Sequence, residues 1–234
     1  YSERFPELTK LKRFVTGIKS FEMLSPDKMK KTSRYGVTDF GMGGERLAAF
    51  IHGLSLEDKT IIVRKLKRYY PAVQRIVTSK KKYGHVSLKM DEEFDNNENL
   101  TINANYISDG LLRIIAIVSL RGLNHHYTVL LLDEIEDGIN PSLAAELTQD
   151  LKETAKQVFV TTHSPIMLNY FDEESIIFLW RQDDGKVRAE KMFNNEKMRD
   201  HLKYMNPGEV WLNMEPQEIQ ELLKKSPMHS GGQE

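Results

Sequence analysis

The 234 residues are enough for one large domain or two small ones, and 40% hydrophobic with 29% charged residues is ordinary for a soluble globular protein. The chain contains no cysteine, which excludes disulfides, thiolate metal sites and a cysteine nucleophile. No apolar run approaches the roughly 18 residues of a membrane span, and the first residues lack the pattern of a signal peptide. We therefore expect a cytoplasmic protein without a membrane partner.

The net charge of −1 conceals an uneven distribution of charge along the chain. Residues 1–90 hold 20 Lys+Arg and 8 Asp+Glu, a net charge of +12, whereas residues 91–234 hold 13 Lys+Arg and 26 Asp+Glu, a net charge of −13. A basic half of this kind suits a polyanion such as nucleic acid. An acidic partner surface or a simple solvated face would fit the same charge count.

The first quarter of the chain predicts helices and no phosphate-binding loop. Residues 1–25 predict a helix or a mixed segment. Residues 39–44 are rich in glycine, but a phosphate-binding loop closes with Gly-Lys-Ser/Thr, so that the lysine meets the β- and γ-phosphates and the hydroxyl meets Mg²⁺. Here the glycines run into Glu45-Arg46-Leu47. We therefore predict that they precede an amphipathic helix that ends near His52.

A helix and a pair of strands are predicted next. Ser55 is a good N-cap for a helix over residues 55–70, with its lysines and arginines on the face opposite the apolar one. Residues 73–77 and 85–90 predict strands, joined by a turn that contains three consecutive lysines. This turn could contact a phosphate backbone or simply protect a sheet edge from aggregation. Residues 91–99 are acidic and polar and predict a mobile loop.

A short polar turn, Ser108-Asp109-Gly110, precedes a helix that is apolar on nearly all sides. Ser108 is a natural N-cap, and we expect the helix behind it to be buried. The free N–H groups and positive dipole end of a helix N-terminus suit a phosphate. Taken alone, Ser-Asp-Gly before a helix is more often only a cap.

The apolar run 129–132 ends in two adjacent carboxylates, Asp133 and Glu134. Such a run predicts a buried strand of a parallel sheet, and open α/β sheets bind ligands at the carboxyl ends of their strands. Two acids at this place are costly unless a cation or a reacting water uses them. The pattern is that of a Walker B segment, in which the first acid holds Mg²⁺ and the second polarises the water that attacks the γ-phosphate of ATP.

The next strand is expected to bring a histidine to the same place. Asn140 and Pro141 predict the N-cap and first residue of a helix to about residue 156. Residues 157–162 predict a buried strand that ends at His163. Consecutive parallel strands are usually neighbours, so we expect His163 to lie beside the acidic pair and to reach the γ-phosphate.

The C-terminal part predicts a β-hairpin with strands over 176–180 and 186–189, followed by helices near 195–205 and 216–225. Residues 230–233 spell the letters Ser-Gly-Gly-Gln of the ABC signature. No helix follows them to supply a dipole, and we predict a disordered tail there.

The order of these motifs resembles the C-terminal lobe of ABC-type ATPase heads, especially the RecF/SMC-like group and its small OLD-related and anti-phage-defence members. The resemblance extends over about residues 26–212. It implies an α/β fold, with a mostly parallel sheet flanked by helices and a helical and β insert before the signature. The chain would then comprise a basic signature-side segment (1–100), an ATPase core (101–192) and a C-terminal helical segment with a tail (193–234). The motifs that carry the resemblance are Ile107 to Gly110, Leu132 to Glu134, Asp137 to Pro141 and Thr161 to Pro165.

The resemblance implies that two segments contact ATP across a subunit interface. Ser108, Asp109 and Gly110 match the signature, which contacts the γ-phosphate bound by the opposite subunit. Asn140 lies in the D-loop, where many relatives carry His or Asp, and this departure leaves its contact with the other subunit open. The implied assembly is a homodimer or higher homo-oligomer closed by an ATP sandwich.

The resemblance also implies the catalytic set and the cofactors. Asp133 matches the Walker B acid associated with Mg²⁺, Glu134 the catalytic base, and His163 the switch histidine. The cofactors would be ATP and Mg²⁺.

The 234 residues contain no Gly-x-x-x-x-Gly-Lys-Ser/Thr, the Walker A loop that cradles the β- and γ-phosphates. Three explanations are open: this is the C-terminal part of a longer polypeptide, another chain supplies the lobe, or the subunit is degenerate. We favour the first, partly because the chain starts at Tyr1. ATPase activity is then expected of the completed head and not of these residues alone.

Three functions are compatible with the sequence. The leading hypothesis is an ATPase head that gates action on DNA or on an effector nuclease, in phage defence or DNA repair. The alternative is a non-catalytic nucleic-acid-binding or assembly subunit with a degenerate ATPase fold. A metal nuclease using Asp133, Glu134, Glu136 and Asp137 fits less well, because adjacent residues of one strand point to opposite faces.

Overall fold

The computed structural model describes residues 5–22, 25–94, 98–123, 127–153 and 157–224. The chain divides into two compact units, Tyr1–Thr162 and His163–Glu234. The division into three parts expected from the sequence stays a prediction. In the described part of the chain, no helix is long and apolar enough to cross a membrane.

The first unit combines helices with two sheets. Its helices are α1 (Pro6–Thr16), α2 (Pro26–Met29), α3 (Leu47–Gly53), α4 (Leu56–Tyr69), α5 (Asp109–Ser119) and α6 (Ala144–Lys152). Its strands are β1 (Ile18–Glu22), β2 (Ser33–Arg34), β3 (Val73–Lys80), β4 (His85–Glu93), β5 (Asn99–Asn103), β6 (Val129–Asp133) and β7 (Val158–Val160).

A three-stranded parallel sheet, in the order β1-β6-β7, carries the predicted acidic strand at its centre. The side chains of Phe21, Leu130 and Leu132 are buried on one face of this sheet. On the opposite face, Leu131 and Phe159 lie in register and are 37% and 48% exposed. The pairing of β6 with β7 confirms that the two predicted strands are parallel neighbours.

The N-terminal segment differs from a single helix. α1 ends at Thr16, and after Gly17 the chain forms β1, which pairs with β6. The segment was predicted as a helix or a mixed segment, and β1 was not predicted as a strand. None of the residues of α1 is buried, although the helix carries apolar side chains. The exposed large apolar residues of α1 are Phe5 at its N-cap position and Leu8, Leu11, Phe14 and Val15.

An antiparallel sheet in the order β2-β4-β3, with β5 also paired to β4, forms the insert before α5. Strands β3 and β4 are longer than the predicted ranges. The prediction of a mobile loop over residues 91–99 was wrong in part, because β4 continues to Glu93 and β5 begins at Asn99. Acidic and amide residues dominate this stretch and do not predict a strand, but β5 pairs with β4 through backbone hydrogen bonds.

Helix α4 begins as predicted, with the Ser55 hydroxyl accepting the Asp58 N–H at 3.0 Å. The prediction that all lysines and arginines of α4 lie on an exposed face was wrong for Lys65. Lys65 is only 8% exposed, and its Nζ donates to Asp150 Oδ1 at 2.6 Å and to Glu153 Oε2 at 2.9 Å. Asp150 is fully buried on α6, so its charge requires these partners. The ion pair ties α4 to α6.

The second unit has its own core. It contains α7 (Pro165–Leu168), the antiparallel hairpin of β8 (Ile177–Arg181) and β9 (Val187–Lys191), α8 (Glu196–His201), α9 (Pro207–Asn213) and α10 (Pro216–Lys224). The hairpin, α8 and α10 match the predicted elements, whereas α9 has no counterpart among the predicted helices. The tail predicted at residues 230–233 lies outside the described residues. The buried residues of this core are Ile176, Phe178, Trp180, Met192, Phe193, Met198, Val210, Ile219 and Leu223.

Candidate nucleotide site

The two acids predicted to be functional lie at the carboxyl end of β6. Asp133 is the last residue of the strand and is exposed. Glu134 follows with φ 43°, in the left-handed region that glycine favours. A non-glycine residue held in this conformation costs of order 1–3 kcal/mol, and such residues concentrate at functional sites. The chain therefore leaves β6 through a strained turn at the second acid.

A threonine from the neighbouring strand contacts both acids. Thr161, directly after β7, donates its hydroxyl proton to Asp133 Oδ1 and accepts the backbone N–H of Glu134 at 3.1 Å. The Thr161 N–H also donates to the carbonyl oxygen of Leu132 at 3.0 Å. One side chain thus fixes the carboxylate of the first acid and the backbone of the second.

The following threonine contacts a third acid. Thr162 Oγ1 donates to Glu136 Oε1 at 2.5 Å. From the sequence, Thr161 and Thr162 were predicted only to end a strand, without a functional role. The signal that could have identified them was two hydroxyls at the end of the strand next to the acidic one.

The Ser-Asp-Gly turn begins α5 as predicted. Ser108 Oγ accepts the Leu111 N–H at 3.3 Å and so acts as the N-cap. Lys30 Nζ donates to Asp109 Oδ1 at 2.7 Å, a contact that the sequence did not reveal. Both Ser108 and Asp109 are exposed, so this end of α5 faces solvent.

The same turn is in close contact with the loop after the acidic pair. A Cβ on Gly110 would come within 2.3 Å of the Gly138 carbonyl oxygen, so only glycine fits there. Arg113, which is 5% exposed, donates to the carbonyl oxygen of Asp137 and pairs through Nη2 with Asp137 Oδ2 at 2.9 Å. Gly138 has φ 69°, and a Cβ there would approach Arg113 Nη1 to 2.7 Å.

Comparisons with known proteins identify related folds. Residues 54–169 match the family described as "AAA domain, putative AbiEii toxin, Type IV TA system". An SmcHead bound to the C-winged helix domain of ScpA is similar in structure, with a TM-score of 0.50 and 14% identity over 74% of this chain and 55% of that chain. The chain has the fold of the C-terminal lobe of a RecF/SMC-like, ABC-type ATPase head.

Other ATPase heads are more weakly similar. A structure from work on ATP-driven dimerization and DNA-stimulated activation of SMC ATPases has a TM-score of 0.45 and 15% identity, over 64% of this chain and 92% of that chain. The Smc head domain with a coiled coil from Pyrococcus yayanosii has a TM-score of 0.44 and 16% identity, over 69% of this chain and 31% of that chain. No curated protein matches the chain in sequence. The chain spans about half the length of the ScpA-bound head that it matches.

Asn140, the predicted D-loop residue, begins the segment before α6. Its Oδ1 accepts the Ser142 N–H at 3.0 Å and caps a single 3₁₀ turn before α6. The predicted N-cap role is thus confirmed, with the first turn in 3₁₀ form. Asn140 is exposed. Its contact with nucleotide stays a prediction.

His163, the predicted switch histidine, is the first residue of the second unit. His163 directly follows Thr162 and is exposed, and the next residue, Ser164, caps α7 by accepting the Met167 N–H at 3.4 Å. Its position beside the acidic pair stays a prediction.

The residues of the site are suited to bind Mg²⁺, with this chain supplying only part of the ligand shell. Asp133 offers an exposed carboxylate oxygen, the ligand type that Mg²⁺ prefers. Among the described residues, no group of three or more His, Asp or Glu could hold a metal by itself. Mg²⁺ usually keeps several waters and completes its shell with substrate phosphates, so a single carboxylate such as that of Asp133 would be a sufficient protein contribution.

Proposed function

We propose that this chain supplies the Walker B acids, signature and D-loop of an ATPase head that closes on ATP and opens after hydrolysis. Opening and closing would gate action on DNA or on an effector nuclease, in phage defence or DNA repair. The family match of residues 54–169 and the fold shared with an SMC head support this proposal.

One observation carries the proposal: Thr161 contacts both acids at the end of β6. It orients the Asp133 carboxylate by donating a hydrogen bond, and it holds the Glu134 backbone in a conformation that an ordinary strand end would not adopt. If the two acids had only a structural role, a strained backbone at Glu134 would not be needed. Orienting two acids at a strand end is what phosphoryl transfer to water requires of this part of a head.

Each acid then has a separate task. Bound Mg²⁺ would neutralise charge on the β- and γ-phosphates. Asp133 would hold the waters of that ion, and Glu134 would accept a hydrogen bond from the attacking water and orient it. His163 would donate to the γ-phosphate. Thr161 acts through the two acids and is a positioning residue.

The exposed signature supports a site that is completed by a second subunit. Ser108 and Asp109 face solvent at the N-terminal end of α5, where helix N–H groups favour an anion. The contacts of Gly110 and Arg113 join this end to the D-loop. A γ-phosphate held by the signature of one subunit would therefore be sensed by the D-loop of the same subunit.

A Walker A lobe must complete the head, because the 234 residues contain no Gly-x-x-x-x-Gly-Lys-Ser/Thr. The apolar side chains exposed on α1 and on one face of the parallel sheet support the view that further protein covers this region. The proposed activity therefore belongs to the completed head.

Replacing Glu134 by Gln in the complete head tests the proposal. Glutamine keeps the size of the side chain but cannot accept the proton of the attacking water, so ATP turnover should fall by about 10²-fold or more. The matched control is Glu57→Gln, an exposed carboxylate on α4, which should leave turnover unchanged. Unchanged turnover in Glu134→Gln would contradict the catalytic role.

A second function is favoured by the missing Walker A sequence and the +12 charge of residues 1–90. The chain would then be a non-catalytic subunit that binds nucleic acid or organises an assembly. This function predicts nucleic-acid binding with a steep salt dependence and no effect of nucleotide. ATP turnover that depends on Glu134 excludes it.

A further inference from the structure

We infer that the tip of the β3–β4 hairpin is a binding site for a single strand of nucleic acid, with lysines contacting phosphates and Tyr83 stacking on a base. This inference rests on the DNA-directed part of the proposed function but not on ATP hydrolysis. It names the surface that meets the strand and the chemistry of the contact.

The hairpin tip is a fixed turn that extends beyond the paired strands. The last paired residues are Lys80 and Val86, and the Lys81 N–H donates to the carbonyl oxygen of His85 at 2.6 Å. Tyr83 lies at the end of the turn with φ 66° and is 93% exposed. A positive φ is less favourable for tyrosine than for glycine. Burial of the Tyr83 ring does not offset this cost, because the ring is exposed.

A second exposed tyrosine lies beside the tip. Tyr35 follows β2, its N–H donates to the carbonyl oxygen of Gly84 at 3.0 Å, and it is 56% exposed. Lys80 Nζ lies 3.5 Å from the centre of the Tyr35 ring, a cation–π contact that fixes both side chains. Two aromatic rings therefore flank the lysines of the tip.

The two segments that form the tip and its neighbour carry only positively charged side chains. Segments 30–36 and 79–85 together hold six Lys/Arg and no Asp or Glu. Lys30 is paired with Asp109, whereas no described carboxylate forms an ion pair with Lys81 or Lys82. Two lysines with exposed ammonium groups are thus available to phosphates next to the Tyr83 ring.

A single strand fits these features better than the alternatives. Lysines alone are enough to protect a sheet edge or to meet an acidic protein, and neither task needs exposed aromatic rings. In a duplex the bases are already stacked, whereas a single strand offers base faces to aromatic side chains. The combination of basic groups with aromatic platforms is the usual chemistry of single-strand binding.

The test measures binding of the complete protein to labelled oligo(dT), oligo(rU) of equal length and the corresponding duplex, without nucleotide. We expect oligo(dT) or oligo(rU) to bind more tightly than the duplex, and the ratio of the two single strands identifies the natural source. Tyr83→Gly relieves the positive φ while removing the ring, so it should keep the fold and weaken binding by roughly 5- to 150-fold. Tyr83→Phe keeps the ring and should bind normally.

The lysines are tested by salt dependence. Lys81→Gln/Lys82→Gln should reduce the slope of log affinity against log salt by about 0.7 for each lysine that contacts a phosphate. The matched controls are Tyr204→Gly and Lys191→Gln/Lys197→Gln, which alter exposed residues of the second unit and should change neither affinity nor slope.

Three results would overturn the inference. They are normal single-strand affinity in Tyr83→Gly, equal affinity for duplex and single strand, or equal binding of polyglutamate, which would indicate an acidic protein as the partner. Glu134→Gln should bind oligo(dT) as the unchanged protein does. Failure of the hydrolysis proposal would therefore be distinguishable from failure of this one.

Discussion

At the scale of single residues, Thr161 is the residue that joins the two acids at the end of β6. Its hydroxyl donates to Asp133 and accepts from the Glu134 N–H, so one oxygen atom sets the position of both acids. A side chain of the same shape without the hydroxyl would leave the Glu134 N–H and the Asp133 carboxylate without this partner. Residues that orient catalytic groups in this way typically affect rate more than stability.

We expect Thr161→Val to lower the kcat of ATP turnover by roughly 10- to 100-fold, with little change in KM or in the thermal midpoint. Thr161→Ser restores the hydroxyl and should restore most of the rate. The control is Thr60→Val on the exposed face of α4, where the hydroxyl only bonds within its own helix. A loss of rate that serine fails to rescue, or that follows a loss of stability, would contradict the positioning role.

At the scale of elements, the N-terminal end of α5 packs closely against residues 137–138, which begin the proposed D-loop. Gly110 allows the Gly138 carbonyl oxygen to approach, and Arg113 holds the Asp137 backbone and side chain from its buried position. In the proposed head, this contact would carry a displacement of the signature to the D-loop through packed backbone. This contact could not be predicted from the sequence, because neither glycine has a side chain to suggest a partner.

Gly110→Ala tests this contact. The added Cβ would lie 2.3 Å from the Gly138 carbonyl oxygen, so two backbones must move apart, and we expect a loss of about 1–3 kcal/mol in the free energy of unfolding. Gly53→Ala is the matched control, because nothing lies within 4 Å of a Cβ at that position in α3. Urea unfolding should show Gly53→Ala as neutral or stabilised by about 0.4–1 kcal/mol. Equal effects of the two changes would contradict the contact.

At the scale of the whole molecule, local signals in the sequence predicted the elements that depend on local physics. β6 was readable as a continuous apolar run, and α4 and α5 through their serine N-caps. The parallel pairing of β6 with β7 was then predicted because consecutive parallel strands are usually neighbours.

Features that depend on residues distant in the chain could not be predicted from the sequence. β1 pairs with β6, whereas its own five residues, Ile-Lys-Ser-Phe-Glu, show no regular alternation of apolar and polar side chains that would predict a strand. The burial of Lys65 depends on Asp150. The strained φ of Glu134 depends on the turn and the Thr161 contact, which no spacing of residues reveals.

Sedimentation velocity of the complete head carrying Glu134→Gln, with and without ATP, most directly tests whether the signature of one subunit closes the nucleotide site of another. With hydrolysis blocked, ATP should double the mass of the protein. Ser108→Leu should abolish the doubling, since an apolar side chain would meet the γ-phosphate. Ser55→Leu removes the equivalent N-cap of α4 at a similar cost of about 1 kcal/mol and should leave the doubling intact. A mass that is the same with and without ATP would contradict the account.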